Sequence, residues 1–113
     1  MEFKHIDLSM LEALYKDNPK RLKEITKKYA DTISELTDKL NESVKDGQKD
    51  AQKNAAHSLK TAFKYLGMEE LSVTSRQIET LAEKSDDSLE SYAKQISEKW
   101  QQAKTEVDKF VNE

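Results

Sequence analysis

The stretch that decides the fold is residues 48–67, which read QKDAQKNAAHSLKTAFKYLG. Apolar residues recur in it at spacings of three and four, and it ends in a glycine. That spacing is the period of an α-helix with one buried face, and glycine readily takes the left-handed conformation that follows a helix. The pattern predicts a helix over residues 49–66. We expect its buried face to carry Ala51, Ala55, Leu59, Ala62, Phe63 and Leu66.

His57 lies on the opposite face of this predicted helix. It is about 160° around the helix from Leu59, so we expect the imidazole to point into solvent. Lys53, Lys60 and Lys64 stand at positions −4, +3 and +7 from it and share its face. A neutral imidazole nitrogen is a nucleophile, and ammonium groups attract a phosphoryl group. The residues alone leave a second interpretation open, namely a solvated helix face with an incidental histidine.

Helix-breaking residues divide the rest of the chain. Asp17-Asn18-Pro19 is typical of a helix start, and Asp46-Gly47 and Ser85-Asp86-Asp87 are typical of helix ends and connections. With residues 48–67 they predict helices over 7–16, 19–45, 49–66, 69–84 and 87–111. We expect an all-α fold, an up-down-up-down antiparallel four-helix bundle with a short N-terminal capping helix. An extended coiled coil is the main rival, but the breakers recur too often for it.

Composition narrows the class of protein. A chain of 113 residues predicts one domain, residues 1–113, and 2 Gly and 1 Pro are too few for a sheet with its turns. The absence of cysteine excludes disulfides, thiolate metal sites and cysteine nucleophiles. The 19 basic and 22 acidic side chains are interspersed, which disfavours a nucleic-acid partner. No apolar run approaches a membrane span or a signal peptide. We expect a soluble, cytoplasmic monomer that binds neither nucleic acid nor membrane and holds no metal.

Residues 56–61 together with Leu66-Gly67 resemble the signature of histidine-containing phosphotransfer (HPt) domains. The family motif reads roughly His-x-Leu-Lys-Gly, followed by Leu-Gly at the helix end. The matching positions here are His57, Leu59, Lys60, Leu66 and Gly67. The order of helices, with the histidine midway along the third of five, is also similar to the family. One position departs, because Thr61 stands where the family usually has glycine.

The resemblance implies a phosphorelay carrier that has no kinase activity. His57 would take the phosphoryl group from an aspartate of one receiver domain, in a hybrid sensor kinase or a response regulator, and pass it to another. Lys60 would stabilise the phosphate, with Lys64 and Lys53 adding to the field. Glu79, counted from Gly67, would orient the imidazole. The chain would need no cofactor, since Mg²⁺ would belong to the receiver.

Two consequences of the resemblance remain open. The hydroxyl of Thr61 either bonds the phosphoryl group or obstructs the partner. We expect some of Leu8, Met10 and Leu11 to stay exposed as a docking patch for the receiver. The alternatives are a helical-bundle adaptor that is never phosphorylated and a pseudo-HPt that binds receivers without transfer. The initiating Met favours a free-standing protein over a domain of a larger kinase.

Overall fold

The computed structural model describes residues 3–84 and 87–113, and within these ranges it contains helices and no strands. The bounds lie within two residues of those predicted from the breakers, and the all-α prediction is confirmed. Residues 85 and 86 of the predicted connection lie outside the described ranges. The helices are α1 Ser9–Tyr15, α2 Pro19–Asp46, α3 Lys49–Tyr65, α4 Glu69–Glu83 and α5 Leu89–Val111.

Local residues set the start of α2 and the ends of α2 and α3. The Asn18 side chain accepts a hydrogen bond from the backbone N–H of Arg21 at 3.0 Å, and Pro19 opens α2. Gly47 and Gly67 follow α2 and α3 with φ of +67° and +70°. Both glycines occupy the left-handed region, where a residue with a Cβ is strained. Helices α2 and α3 therefore end within two residues of a glycine.

Side-chain contacts show that the four long helices run antiparallel to their neighbours. Low-numbered residues of one helix consistently meet high-numbered residues of the next. Helices α2 and α5 also pack together, which closes the ring of four. The architecture is thus an up-down-up-down bundle with α1 lying against α2. The contacts are Tyr29–Tyr65 and Ser43–Gln52 between α2 and α3, Lys53–Glu83 and His57–Glu79 between α3 and α4, and Ser34–Trp100 and Asn41–Ser97 between α2 and α5.

The bundle has an elongated core centred on aromatic side chains. Trp100 is 1 % exposed, meets Phe63 edge-on at 6.2 Å between ring centroids, and donates its indole N–H to the Ser34 hydroxyl at 3.0 Å. The molecule measures 45 × 21 × 19 Å, as expected of helices lying side by side rather than of an extended coiled coil. None of the helices in the described ranges is long and apolar enough to cross a membrane.

The predicted buried face of α3 was wrong at one end. Ala51 is exposed, whereas Gln52 and Ala56 are buried. Because α3 packs against both α2 and α4, its buried face is wider than a single stripe. Gln52 is satisfied in the interior because its amide N–H donates to the Ser43 carbonyl near the end of α2, at 3.0 Å.

The segment before α1 crosses one end of the bundle. The Asp7 backbone N–H donates to the Leu66 carbonyl at 2.9 Å, and Ile6 is buried. At the other side of the same segment, the backbone N–H of His5 donates to both carboxylate oxygens of Glu106, at 3.0 and 3.1 Å. Residues 5–7 therefore tie the turn between α3 and α4 to helix α5.

Candidate functional site

The imidazole of His57 projects from the outer face of α3. Its side chain is 68 % exposed, while Leu59 on the opposite face and the adjacent Ala56 are fully buried. The apolar face packs into the bundle and fixes the rotation of the helix about its axis, which leaves the histidine outside. The helix that carries His57 is therefore held in place by the core, and the imidazole is open to a partner molecule.

Glu79 of α4 binds the histidine ring. Its Oε1 lies 2.6 Å from Nδ1 of His57, and the side chain is 23 % exposed, much less than that of the histidine. An ionised carboxylate only accepts hydrogen bonds, so the ring Nδ1–H is the donor. In a neutral ring, this tautomer leaves the lone pair on Nε2. The arrangement holds the ring in one orientation with Nε2 free for chemistry.

Lys60 shares the same carboxylate. Its ammonium nitrogen lies 3.5 Å from Oε2 of Glu79, and its backbone carbonyl accepts a hydrogen bond from the Ser72 hydroxyl at 2.9 Å. One helical turn separates Lys60 from His57, so the lysine, the carboxylate and the imidazole form a contiguous row across α3 and α4. A cation thus lies beside the exposed imidazole.

Lys53 is held by a different carboxylate. It forms an ion pair with Glu83, whose other oxygen lies 3.4 Å from the ammonium of Lys49. The hydrogen bond to Glu83 raises the pKa of Lys53, and the same bond lowers the pKa of Glu83. Lys53 therefore lies one helical turn before His57, and its charge is paired with that of Glu83.

Lys64 and Thr61 are exposed and line an open groove between α3 and α4. Arg76 and Val73 of α4 and Met10 of α1 also line the groove. Since Lys60 lines it as well, the groove begins at the row formed by Lys60, Glu79 and His57. The site therefore continues from the histidine into a surface that carries both cations and apolar groups.

A family model, the Hpt domain, matches residues 9–112, nearly the whole chain. The protein belongs to the Hpt family. Within the family, histidine phosphotransfer is the general activity, and its members are phosphocarrier modules rather than kinases. No curated protein and no solved structure matches the chain significantly.

The expected docking patch of this Hpt protein is corrected by the structure. Leu8 and Leu11 are 2 % and 1 % exposed, because they hold α1 on the bundle. Met10 is 44 % exposed, in keeping with the expectation, and Leu14 is 64 % exposed. The spacing carried the signal: Leu8 and Leu11 share one face of the short helix, and Met10 and Leu14 share another.

Two groove residues, Arg76 and Val73, were missed as site residues from the sequence. Val73 is 48 % exposed although α4 has an apolar face that is buried. Arg76 precedes Glu79 by three positions, so it lies on the same side of α4 as the carboxylate that binds His57. Once Glu79 was assigned to the histidine, that spacing could have indicated Arg76.

The described part of the chain contains no group of side chains placed to bind a metal ion. Residues 3–84 and 87–113 contain no cluster of three or more histidine, cysteine or carboxylate side chains placed to hold an ion. His57 has one carboxylate, Glu79, as its neighbour, and that carboxylate is shared with a lysine.

Proposed function

We propose that this Hpt protein relays a phosphoryl group between receiver-domain aspartates, with His57 as the transient carrier. The observation that carries the proposal is the exposed imidazole whose Nδ1 is bonded to Glu79, which leaves Nε2 as the nucleophile. Membership of a family of phosphotransfer modules supports the same assignment. The carrier would act in the cytoplasm, with no kinase activity and no cofactor of its own.

The transfer exchanges one phosphorus bond for another. The Nε2 lone pair attacks the phosphorus of an aspartyl phosphate, a P–N bond forms, and the P–O bond to the aspartate breaks. The ring becomes cationic, since Nδ1 keeps its proton, and the Glu79 carboxylate stabilises that charge. In the second half of the relay a fresh aspartate attacks the phosphorus and the electron pair returns to Nε2. Little covalent assistance is needed beyond position and charge.

The neighbouring cations supply the positive charge that stabilises the phosphoryl group. Lys60 is best placed to stabilise the phosphoryl oxygens, since it already lies beside the carboxylate that orients the ring. Lys64 adds to the positive field, and the Thr61 hydroxyl is available to the phosphoryl group from the next turn. Lys53 has the smaller role, because Glu83 neutralises it.

The test is phosphoryl transfer from phosphorylated receiver domains of the source organism, in the presence of Mg²⁺. We expect acid-labile, alkali-stable label on the protein and none on His57→Gln, with the helical circular dichroism spectrum of the variant unchanged. Exposed His57 contributes nothing to the core, so the variant should fold. Absence of label from every receiver, or equal labelling of His57→Gln, would remove the proposal. Receiver binding that survives without any label would indicate the pseudo-HPt, and neither binding nor label would indicate the adaptor.

A further inference from the structure

Two grooves flank His57, and they differ in charge. The α4-side groove carries three cations, Lys60, Lys64 and Arg76, and one carboxylate, Glu69. The α2-side groove lies between α2 and α3 and includes Ser58, the residue after His57. It carries one cation, Lys39, and two carboxylates, Glu42 and Asp46. A partner that approaches His57 therefore meets a positive surface on one side and a negative one on the other.

The cations at the far end of the α4-side groove have no partner in the part of the chain that the structure describes. Lys60 is bonded to Glu79, but neither Lys64 nor Arg76 forms an ion pair or a side-chain hydrogen bond with any other described residue. An arginine guanidinium binds carboxylates in a bidentate, geometrically specific way. Two cations without a partner among the described residues, in a groove that begins beside an exposed nucleophile, are suited to recognise an acidic surface.

Apolar exposure coincides with the same groove. Met10 and Val73, which are 44 % and 48 % exposed, both line it. Leu14 follows Met10 by four positions on the same face of α1 and is 64 % exposed. These are the large apolar side chains that remain exposed within residues 3–84 and 87–113. Apolar groups bordered by charge are typical of protein–protein interfaces.

We propose that the receiver domain docks over the α4-side groove, with Arg76 and Lys64 as its specificity-determining contacts. This inference rests on the proposed function. A receiver presents a phosphorylatable aspartate together with the carboxylates that hold Mg²⁺, and such an acidic face is complementary to the cations here. Met10 and Val73 supply the apolar part of the contact. Docking over the negatively charged α2-side groove would bring like charges together.

The experiment compares three charge reversals that change the net charge equally. Arg76→Glu and Lys64→Glu lie in the α4-side groove, and Lys39→Glu is the matched control in the α2-side groove. All three side chains are exposed, and circular dichroism verifies that each variant is folded. Each receiver domain of the source organism, unphosphorylated and loaded with Mg²⁺, is titrated against the unchanged protein, and the tightest binder is then used for the variants.

We expect Arg76→Glu and Lys64→Glu each to raise the Kd about tenfold and Lys39→Glu to raise it less than twofold. Added salt should weaken receiver binding by the unchanged protein more than receiver binding by Arg76→Glu. An equal or larger effect of Lys39→Glu, no effect of the other two, or binding of no receiver would overturn the docking assignment. Labelling of the unchanged protein by phosphoramidate, a small phosphoryl donor, tests His57 separately, so carrier function and docking side can fail independently.

Discussion

At the scale of single residues, the chemistry proposed for the site depends on the bond between His57 and Glu79. The carboxylate fixes the tautomer that exposes Nε2 and meets the charge that develops on the ring. An amide at the same position would keep the acceptor oxygen without the charge. A positioning role for Glu79 is therefore separable into geometry and electrostatics.

Removing the Glu79 side chain should slow phosphorylation of His57 without unfolding the protein. We expect Glu79→Ala to lower the rate about 10- to 100-fold, and Glu79→Gln to recover most of the loss, since the amide oxygen still accepts from Nδ1–H. The rates come from labelling with phosphoramidate. The tautomer is read from the ¹⁵N chemical shifts of the ring, and it should become mixed only in Glu79→Ala. Equal rates in all three proteins, or an unchanged tautomer in Glu79→Ala, would contradict the role.

The sequence predicted much of this site, but not all of it. The outward direction of His57 follows from the helical period alone, whereas its contact with Glu79 depends on how α3 and α4 lie side by side. The family resemblance supplied that register for Glu79. It did not supply Arg76, because only the position of Glu79 on α4 shows which groove that arginine faces.

At the scale of helices, the two glycines that follow α2 and α3 have different surroundings. Both have φ near +70°, but a Cβ at Gly47 would meet nothing within 4 Å, whereas a Cβ at Gly67 would overlap the backbone of Asp7. Gly67 therefore does two things: it ends α3 and lets the segment before α1 pass close by.

Replacing these glycines by alanine should separate strain from overlap. We expect Gly47→Ala to lower the free energy of unfolding by about 1 kcal/mol, the cost of a left-handed alanine. Gly67→Ala should cost about 3 kcal/mol, because the Asp7 backbone must also move. Urea unfolding followed by circular dichroism measures both. An equal loss in the two variants would show that the close approach to Asp7 has no energetic consequence.

Helix limits were predictable because their causes are local, namely Asn18-Pro19 and the two glycines. The spacing on the short helix α1 separates two faces, but which of them is buried depends on where α1 docks. Some of Leu8, Met10 and Leu11 were expected in the docking patch, and Leu8 and Leu11 instead anchor the helix. The buried position of Gln52 likewise depends on its distant partner, the Ser43 carbonyl. Nothing in the sequence near Gln52 specifies that bond.

At the scale of the whole molecule, the carboxylate of Glu106 holds the N-terminal segment to α5. Besides the two backbone bonds to His5, its Oε2 lies 2.5 Å from Nδ1 of the same residue. Phe3 packs edge-on against Phe110 nearby, at 5.8 Å between centroids. Burial acts to raise the pKa of Glu106, but the hydrogen bonds from His5 outweigh it and lower the pKa below its ordinary value of 4.5.

The hydrogen bonds between Glu106 and His5 should make the free energy of unfolding depend on pH in the acid range. Because the pKa of Glu106 is lower in the folded protein, the unfolded chain takes up the proton first, so the stabilisation is complete above about pH 4.5 and is lost as the pH falls below it. We expect Glu106→Gln to cost about 1 kcal/mol at pH 7 and progressively less towards pH 3. Urea unfolding across this range measures it. The exposed Glu98 of the same helix provides the control, Glu98→Gln, and a loss for Glu106→Gln that does not change with pH would contradict the assignment.

In the proposed relay the phosphoryl group resides on Nε2 of His57. The most direct measurement is ³¹P and ¹⁵N NMR of the protein after reaction with phosphoramidate, alongside Lys60→Ala and His57→Gln. We predict one phosphohistidine signal with the ring substituted at Nε2, a shorter lifetime of that signal in Lys60→Ala, and no signal in His57→Gln. A signal that persists in His57→Gln, or substitution at Nδ1, would contradict the account, since Nδ1 is the nitrogen that Glu79 occupies.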